Sequence, residues 1–266
     1  MEVRILPNAQ AVAHYAAELF VQHLQRSPQT VLGLATGSTP IQMYRELITQ
    51  HRAGHISFAD VSSFNLDEYV GLNGDHPQSY RYFMNEQLFN HVDIDKERTF
   101  VPDGSSAHPD EVGPAYEQAI KEAGGIDLQL LGLGGDGHIG FNEQTSSLAS
   151  RTRVKTLTQR TISDNARFFG PDEVQPDLAI TMGIGTILDS RRVVLLACGS
   201  NKAQAVAQMV EGPVTSMCPA SALQMHRSVT VVIDAEAAGS LQLSSYYQWV
   251  AEQQDALVAR LQRDSL

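Results

Sequence analysis

The sequence has little cysteine, little positive charge and no long apolar run, and each of these absences excludes a class of protein. Cys198 and Cys218 are the only cysteines in 266 residues, too few for a disulfide scaffold and without the paired spacing of a zinc site. There are 19 lysine and arginine residues against 30 aspartate and glutamate residues, and the net charge of −11 argues against a nucleic-acid binder. No stretch of about eighteen apolar residues occurs, and the first residues lack the apolar core of a signal peptide. We therefore expect a soluble, cytoplasmic protein with reduced cysteines that binds neither nucleic acid nor membrane.

Apolar residues alternate along the chain between short β-type runs and longer segments with helical spacing. Several runs are continuously apolar, as expected for strands buried on both faces. No repeat or long linker divides the chain, which favours one α/β domain over residues 1–266 with a single doubly wound, mostly parallel, Rossmann-like sheet flanked by helices. The predicted strands are Val3–Leu6, Val31–Ala35, Val61–Asn65, Leu128–Leu133, Leu178–Met182, Val193–Cys198 and Val229–Ile233, and helices are predicted near 12–24, 40–52, 79–90, 110–123, 202–210 and 245–262.

Four loops that follow predicted strands carry polar side chains. Ligands of doubly wound sheets bind outside the carboxyl ends of the strands, so we expect these loops to share one edge. They are Thr36-Gly37-Ser38-Thr39-Pro40, Asp67-Glu68-Tyr69, the glycine-rich loop up to Glu143, and Gly199-Ser200-Asn201-Lys202.

The glycine-rich loop holds three ionisable groups, Asp136, His138 and Glu143, within eight residues. Carboxylates can fix the tautomer of an imidazole and raise its basicity, which predicts proton transfer at His138. The segment Gly132–Gly137 also fits the pattern GxGxxG, but the residues after it lack helical periodicity, so an NAD site is not expected. With one imidazole, these groups do not predict a metal site either.

The loop from Thr36 to Thr39 combines hydroxyls, a glycine and free backbone N–H groups at a helix N-terminus, which predicts an anion site. A plain helix start is the alternative, with Thr39 as the N-cap and Pro40 as the first helical residue. Lys202 and Arg167 are candidates to bind this anion with their positive charge. The alternative for each is an ordinary solvated side chain on the surface.

Asp67 follows a predicted buried strand, and we expect it to act as a general base facing the same crevice as His138. Capping of a helix or turn is the alternative. A serine hydrolase is not expected, because the chain lacks the Gly-x-Ser-x-Gly segment. Lys202 as a Schiff-base nucleophile has no sequence cue for a lowered pKa.

Five segments together resemble the glucosamine-6-phosphate deaminase family, whose members are also called isomerases, over nearly the full length of the chain. The first of them alone also fits related 6-phosphogluconolactonases. The segments are Gly33–Pro40, Phe64–Tyr69, Gly137–Glu143, Ser150–Leu157 and Pro219–Gln224.

The resemblance implies conversion of D-glucosamine 6-phosphate and water to D-fructose 6-phosphate and ammonia, without an organic cofactor. It implies that Asp67 moves the C2 proton toward C1 and that His138 opens the pyranose ring, with Asp136 and Glu143 orienting and tuning the imidazole. The implied grip on the substrate phosphate consists of Thr36, Gly37, Ser38, Thr39, Arg167 and Lys202.

The resemblance also bears on regulation. Arg153 and Lys155 match positions that hold N-acetylglucosamine 6-phosphate in allosteric family members, whereas solvated side chains on a strand edge are the alternative. Family members range from monomers to hexamers, so a homo-oligomer is among the expectations.

We expect a lid over about 150–171 that closes as Arg167 meets phosphate. After Asn142-Glu143, where many family members have proline, this chain has Gln144.

Two other functions stay open at this point. A lactonase acting on 6-phosphogluconolactone would share the phosphate loops but would not need Asp67 as a carbon-acid base. A sugar-phosphate sensor would keep the phosphate grip and would tolerate loss of Asp67 and His138.

Overall fold

The computed structural model describes residues 1–159, 162, 163, 169 and 175–264. Within these residues the strands are β1 (Glu2–Leu6), β2 (Val31–Leu34), β3 (Ser62–Asn65), β4 (Asp67–Tyr69), β5 (Thr99–Phe100), β6 (Leu128–Gly132), β7 (Arg153–Thr156), β8 (Leu178–Thr181), β9 (Arg192–Ala197) and β10 (Val229–Asp234). The helices are α1 (Ala9–Arg26), α2 (Ile41–Arg52), α3 (Tyr80–Gln87), α4 (Pro109–Glu122), α5 (Ile184–Leu188), α6 (Ala203–Val210) and α7 (Ser244–Asp264).

Seven strands form the predicted parallel sheet, in the order β1-β10-β9-β6-β2-β3-β5. From β2 the chain moves outward to β3 and β5, returns to β6 beside β2, and then moves outward on the other side to β9 and β10. The strand order therefore reverses between β2 and β6, and a reversal of this kind opens a crevice at the carboxyl ends of the strands. The mostly parallel, Rossmann-like arrangement predicted from the sequence is confirmed.

A second, antiparallel sheet with the order β4-β8-β7 lies at that carboxyl edge. Its attachment is direct, because only Leu66 separates β3 from β4 and the backbone N–H of Met182 donates to the carbonyl of Leu66 at 2.7 Å. The prediction of a single sheet was wrong here, since the run Leu178–Met182 forms a strand of the second sheet. Burial on both faces gives the same apolar pattern in either sheet.

The helix starting near residue 40 begins one residue later than predicted. Pro40, rather than Thr39, takes the N-cap position of α2, and no side chain caps the helix. The carbonyl of Pro40 accepts the first helical hydrogen bond, from the N–H of Tyr44 at 2.9 Å, and this leaves the hydroxyl of Thr39 available to other partners.

A contiguous cluster of buried apolar side chains runs from Val3 to Leu241 and covers both faces of the large sheet. A smaller cluster around Tyr69 and Phe141 lies against the second sheet. No helix in the described ranges combines the length and apolar character needed to cross a bilayer. Nine residues of the lid predicted over about 150–171 lie outside the described ranges, Arg167 among them, and the lid stays a prediction.

Candidate active site

The glycine-rich loop after β6 closes on itself beneath the imidazole of His138. The N–H of Gly134 donates to the carbonyl of His138 at 2.9 Å, and the N–H of Gly137 donates to the carbonyl of Gly134 at 3.1 Å. A methyl group on Gly134 would overlap the imidazole ring, and one on Gly137, whose φ is +87°, would press on the sulfur of Cys218. Both positions therefore require glycine, one because of close approach and the other also because of its backbone conformation.

Asp136 holds the imidazole from one side. Its Oδ1 lies 2.6 Å from Nδ1 of His138, and the interaction with the imidazole lowers the pKa of Asp136 to about 2. A carboxylate at Nδ1 favours the tautomer with the proton on that nitrogen, which leaves Nε2 as the proton acceptor. The structure thus brings Asp136 and His138 together as their spacing suggests, and the side chain of His138 stays partly exposed at 29%.

Glu143 is placed differently from Asp136. It is buried and accepts hydrogen bonds from the backbone N–H and the hydroxyl of Thr158, at 3.4 and 3.1 Å. These contacts tie the far end of the loop to the chain that follows β7. The orienting role given to Glu143 stays a prediction.

Asp67 lies beside the same loop. It is the first residue of β4, is 6% exposed, and has its Oδ2 3.3 Å from the point that a Cβ on Gly140 would occupy. Burial, with a smaller contribution from the charge of Glu68, raises the pKa of Asp67 to about 8. A carboxyl with this pKa can take up and release a proton near neutral pH.

Glu68 fixes the strand that carries Asp67. Adjacent residues of a strand point to opposite faces, and the carboxylate of Glu68 accepts hydrogen bonds from its own strand and from the start of α3. The donors are the hydroxyl of Ser79 at 2.7 Å and the backbone N–H groups of Tyr69, Tyr80 and Arg81 at 2.9 to 3.0 Å. A carboxylate at a helix N-terminus is favourably placed, although burial still raises the pKa of Glu68.

Asn142, which the sequence did not single out, joins the loop to β7 and to the end of β8. Its amide donates to the carbonyls of Ile139 and Met182, at 2.9 and 2.7 Å, and its Oδ1 accepts from Nη1 of Arg153 at 2.8 Å. Asn142 is fully buried, so loss of any of these bonds would leave a buried polar group without a partner. Arg153 and Lys155 both lie on β7, and Arg153 is also a support of the glycine-rich loop.

The two predicted phosphate loops follow strands on either side of β6. Gly37 and Gly199 have φ values of +95° and +89°, which let each chain turn sharply after its strand. β2 and β9 flank β6 in the sheet. A cavity of about 590 Å³ is lined by Ser38 and Thr39 of the first loop and by Cys198, the residue before the second loop.

Asp234 holds the second of these loops and is a residue that the sequence alone did not reveal. Both of its carboxylate oxygens accept from the N–H of Gly199, at 3.0 and 3.1 Å, and Oδ1 also accepts from Ala237 at 2.8 Å. It is buried at the carboxyl end of β10. The sequence holds one signal that could have identified Asp234. It is an acidic residue at the end of an apolar run, as at Asp67.

Over the described ranges, no group of three or more histidine, cysteine, aspartate and glutamate side chains is arranged to hold a metal ion. Activity without a metal or organic cofactor stays a prediction.

Known proteins are similar to this chain in sequence and in fold. A sequence model described as glucosamine-6-phosphate isomerases/6-phosphogluconolactonase matches residues 7–232. A glucosamine-6-phosphate deaminase of Cellvibrio japonicus is 59% identical over 261 residues, which are 98% of this chain and 99% of that protein. One of Shewanella woodyi is 58% identical over 98% of this chain and 99% of that protein.

Solved structures agree with the sequence comparison. A deaminase described as monomeric superposes with a TM-score of 0.87 at 43% identity, over 90% of this chain and 100% of its own. A 6-phosphogluconolactonase of Trypanosoma brucei superposes with a TM-score of 0.72 at 21% identity, over 90% of this chain and 98% of its own, and shows the fold alone. On this evidence the chain belongs to the family of glucosamine-6-phosphate isomerases and 6-phosphogluconolactonases.

Proposed function

We propose that this protein converts D-glucosamine 6-phosphate and water to D-fructose 6-phosphate and ammonia, in the cytoplasm, as a step of amino-sugar breakdown. The observation that carries the proposal is the buried Asp67, with a pKa of about 8, beside the loop of His138 at the reversal point of the sheet. The deaminase names of relatives at 52 to 59% identity support it.

The first step is opening of the pyranose ring. The imidazole of His138 takes the proton of the anomeric hydroxyl at Nε2 and returns a proton to the ring oxygen. Asp136 at Nδ1 stabilises the imidazolium that forms in between and keeps the ring oriented. Such positioned proton transfer contributes roughly 10²- to 10⁴-fold to a rate.

The second step moves a proton between carbons. Asp67 removes the proton from C2 of the open chain, which forms an enolamine, and delivers a proton to C1. The resulting iminium at C2 adds water and releases ammonia, and the C2 carbonyl of fructose 6-phosphate remains. Burial suits Asp67 to this step, because a desolvated carboxylate is a stronger base than a solvated one.

The phosphate is held away from these groups, at the Thr36–Thr39 loop and the Gly199–Lys202 loop. Backbone N–H groups and hydroxyls of the first loop and the ammonium of Lys202 are the donors. Arg167 belongs to the proposed grip on the evidence of the sequence. The cavity lined by Ser38, Thr39 and Cys198, the residue before the second loop, supports the proposal.

A lactonase is the alternative with the same fold. Hydrolysis of a lactone adds water at a carbonyl and needs no base for a carbon-bound proton. The burial of Asp67, which makes ionisation costly, has no use in that reaction. We therefore favour the isomerase-deaminase.

The direct test supplies purified protein with glucosamine 6-phosphate and, separately, with 6-phosphogluconolactone. Equal amounts of ammonia and fructose 6-phosphate from the amino sugar are expected. Lactone hydrolysis without turnover of the amino sugar would assign the protein to the lactonases, and binding without turnover of either would make it a sensor.

Replacing Asp67 by asparagine should lower kcat by roughly 10²- to 10⁴-fold with little change in KM, because it removes a proton-transferring group. In the wild type, kcat/KM should fall as the pH drops below about 8. Asp60→Asn, on the exposed turn before β3, is the matched control and should keep wild-type kinetics. An unaltered kcat in Asp67→Asn would remove this residue from the mechanism.

The same variant should be more stable than the wild type at alkaline pH. The pKa of Asp67 rises on folding from 3.8 to about 8, so the native state binds the proton more tightly and wild-type stability falls as the pH rises between these values. Urea unfolding at pH 9 and pH 4 measures the effect, and the advantage of Asp67→Asn should be present at pH 9 and much smaller at pH 4. Equal stability at pH 9 would show that Asp67 is not buried as an ion.

Removing the support of the second phosphate loop should raise KM. Asp234→Ala frees the N–H of Gly199 and should raise KM roughly 10- to 100-fold, equivalent to one charge-assisted contact of about 1.5–3 kcal/mol, with a small change in kcat. Asp234→Asn keeps an acceptor oxygen and should restore most of the affinity. A fall in kcat at constant KM would place Asp234 in the chemistry instead.

We also propose that Arg153 and Lys155 bind N-acetylglucosamine 6-phosphate as an activator. The bond from Arg153 to Asn142 gives this site a physical connection to the loop of His138. Initial rates with and without the effector are the measurement. Lys155→Ala should respond less than the wild type, and Lys121→Ala, at the end of α4, should respond as the wild type does. Hyperbolic kinetics that the effector leaves unchanged would contradict the proposal.

A further inference from the structure

Thr181 is the last residue of β8, the central strand of the second sheet, and it is fully buried. In the antiparallel register it stands opposite Asp67 of β4 on one side and opposite Arg153 of β7 on the other. Side chains of directly opposite residues share a face of the sheet, with Cβ atoms about 4.5–5.5 Å apart. Asp67, Thr181 and Arg153 therefore form a row on one face, with the threonine in the middle.

The glycine-rich loop lies directly on this row. The backbone N–H of Phe141 donates to the hydroxyl of Thr181 at 3.1 Å. A Cβ on Gly140 would lie 2.9 Å from Oγ1 of Thr181 and 3.3 Å from Oδ2 of Asp67. The hydroxyl and the carboxyl thus face the same point of the loop, and the hydroxyl of Thr181 joins the loop of His138 to the sheet that carries Asp67.

The hydroxyl of Thr181 has one proton to donate, and its acceptor in the structure is a poor one. The bond from Oγ1 to the carbonyl of Met182 is 3.4 Å long, whereas O–H···O bonds are typically about 2.7–2.8 Å. That carbonyl also accepts from the amide of Asn142 at 2.7 Å. A carboxylate on the same face is a better acceptor, because charge-assisted hydrogen bonds are roughly twice as strong as neutral ones. The proton of Thr181 is therefore available to Asp67 when Asp67 ionises.

Other ionisable groups around Asp67 do not provide this stabilisation. Glu68, the next residue of β4, adds negative charge and raises the pKa of Asp67 further. Tyr80 on α3 and Tyr116 on α4 are close enough to interact with the charge of Asp67, and each donates its hydroxyl proton elsewhere. Arg153, the cation of the row, donates to the loop. The hydroxyl in the middle of the row is the donor that this sheet offers to the ionised carboxyl.

We propose that Thr181 is a positioning residue of the reaction: its hydroxyl holds the glycine-rich loop through the N–H of Phe141 and donates its own proton to the carboxylate of Asp67. The residue acts through Asp67 and the loop and does not touch the substrate. One hydroxyl thus fixes the base relative to the loop that carries the imidazole. The effect on rate rests on the proposed isomerase-deaminase function, whereas the effect on ionisation of Asp67 is measurable without substrate.

The kinetic experiment compares variants that keep or remove the hydroxyl. Thr181→Val keeps the size and branching of the side chain without the hydroxyl, and it should lower kcat at neutral pH roughly 10- to 100-fold with KM within about two-fold of the wild type. The midpoint of the acid limb of kcat/KM should rise by about one pH unit, because the carboxylate loses a donor. Thr181→Ser keeps the hydroxyl and should restore both. Thr230→Val, the same substitution on β10 in the large sheet, is the matched control and should behave as the wild type.

Urea unfolding tests the same contact without substrate. The folded protein binds the proton of Asp67 more tightly than the unfolded chain does, so stability falls as the pH rises, and loss of the hydroxyl should make this fall steeper. Thr181→Val should therefore lower the urea midpoint more at pH 9 than at pH 4. In an Asp67→Asn background, the same substitution should lower the midpoint equally at both pH values.

The two measurements separate this proposal from the proposed function. A wild type that does not convert glucosamine 6-phosphate contradicts the function, and a loss in Thr181→Val that grows with pH still supports the contact with Asp67. Equal losses at pH 4 and pH 9 would overturn the proposal whatever the reaction is. It would also be overturned if Thr181→Val kept the wild-type pH midpoint, or if Thr181→Ser were as impaired as Thr181→Val. Where the valine variant folds poorly, Thr181→Ala against Thr181→Ser decides, because these two differ by the hydroxyl alone.

Discussion

The reversal of strand order between β2 and β6 is the constraint on which the rest of this structure depends. Because all seven strands of the large sheet run in the same direction, every loop with chemistry leaves the sheet at one edge, and the reversal separates the loops after β2 and β6 enough to admit a ligand. The small antiparallel sheet then closes one side of that crevice. Asp67 and the loop of His138 come from different parts of the chain and meet because of this arrangement.

Much of the fold could be predicted from the sequence because strands buried on both faces and amphipathic helices leave clear patterns. Six of the seven predicted strands lie in the large sheet, and the edge that they define is the one predicted. The assignment of Leu178–Met182 to that sheet was wrong, because an apolar run indicates a buried strand but does not indicate which strands it pairs with. Thr39 was chosen as a cap by residue type, whereas the carbonyl that starts α2 belongs to Pro40.

Some residues of the site could also be predicted from the sequence, and others could not. Asp136 and His138 could be paired from their spacing, since residues two apart in a tight loop are close whatever the rest of the chain does. Asn142 and Asp234 could not be assigned, because each has a partner far along the chain, Met182 for Asn142 and Gly199 for Asp234, that only the folded chain brings close. Glu143 accepts hydrogen bonds from Thr158, fifteen residues further on, and its position in the loop does not reveal this partner.

Gly134 has a consequence for how such proteins can diverge. The imidazole of His138 lies directly on its bare backbone, with no room for a methyl group. A single alanine at this position would therefore push the ring out of its place and leave every charged side chain of the crevice unchanged. One glycine-to-alanine substitution could thus turn an enzyme of this architecture into a protein that binds its substrate without converting it.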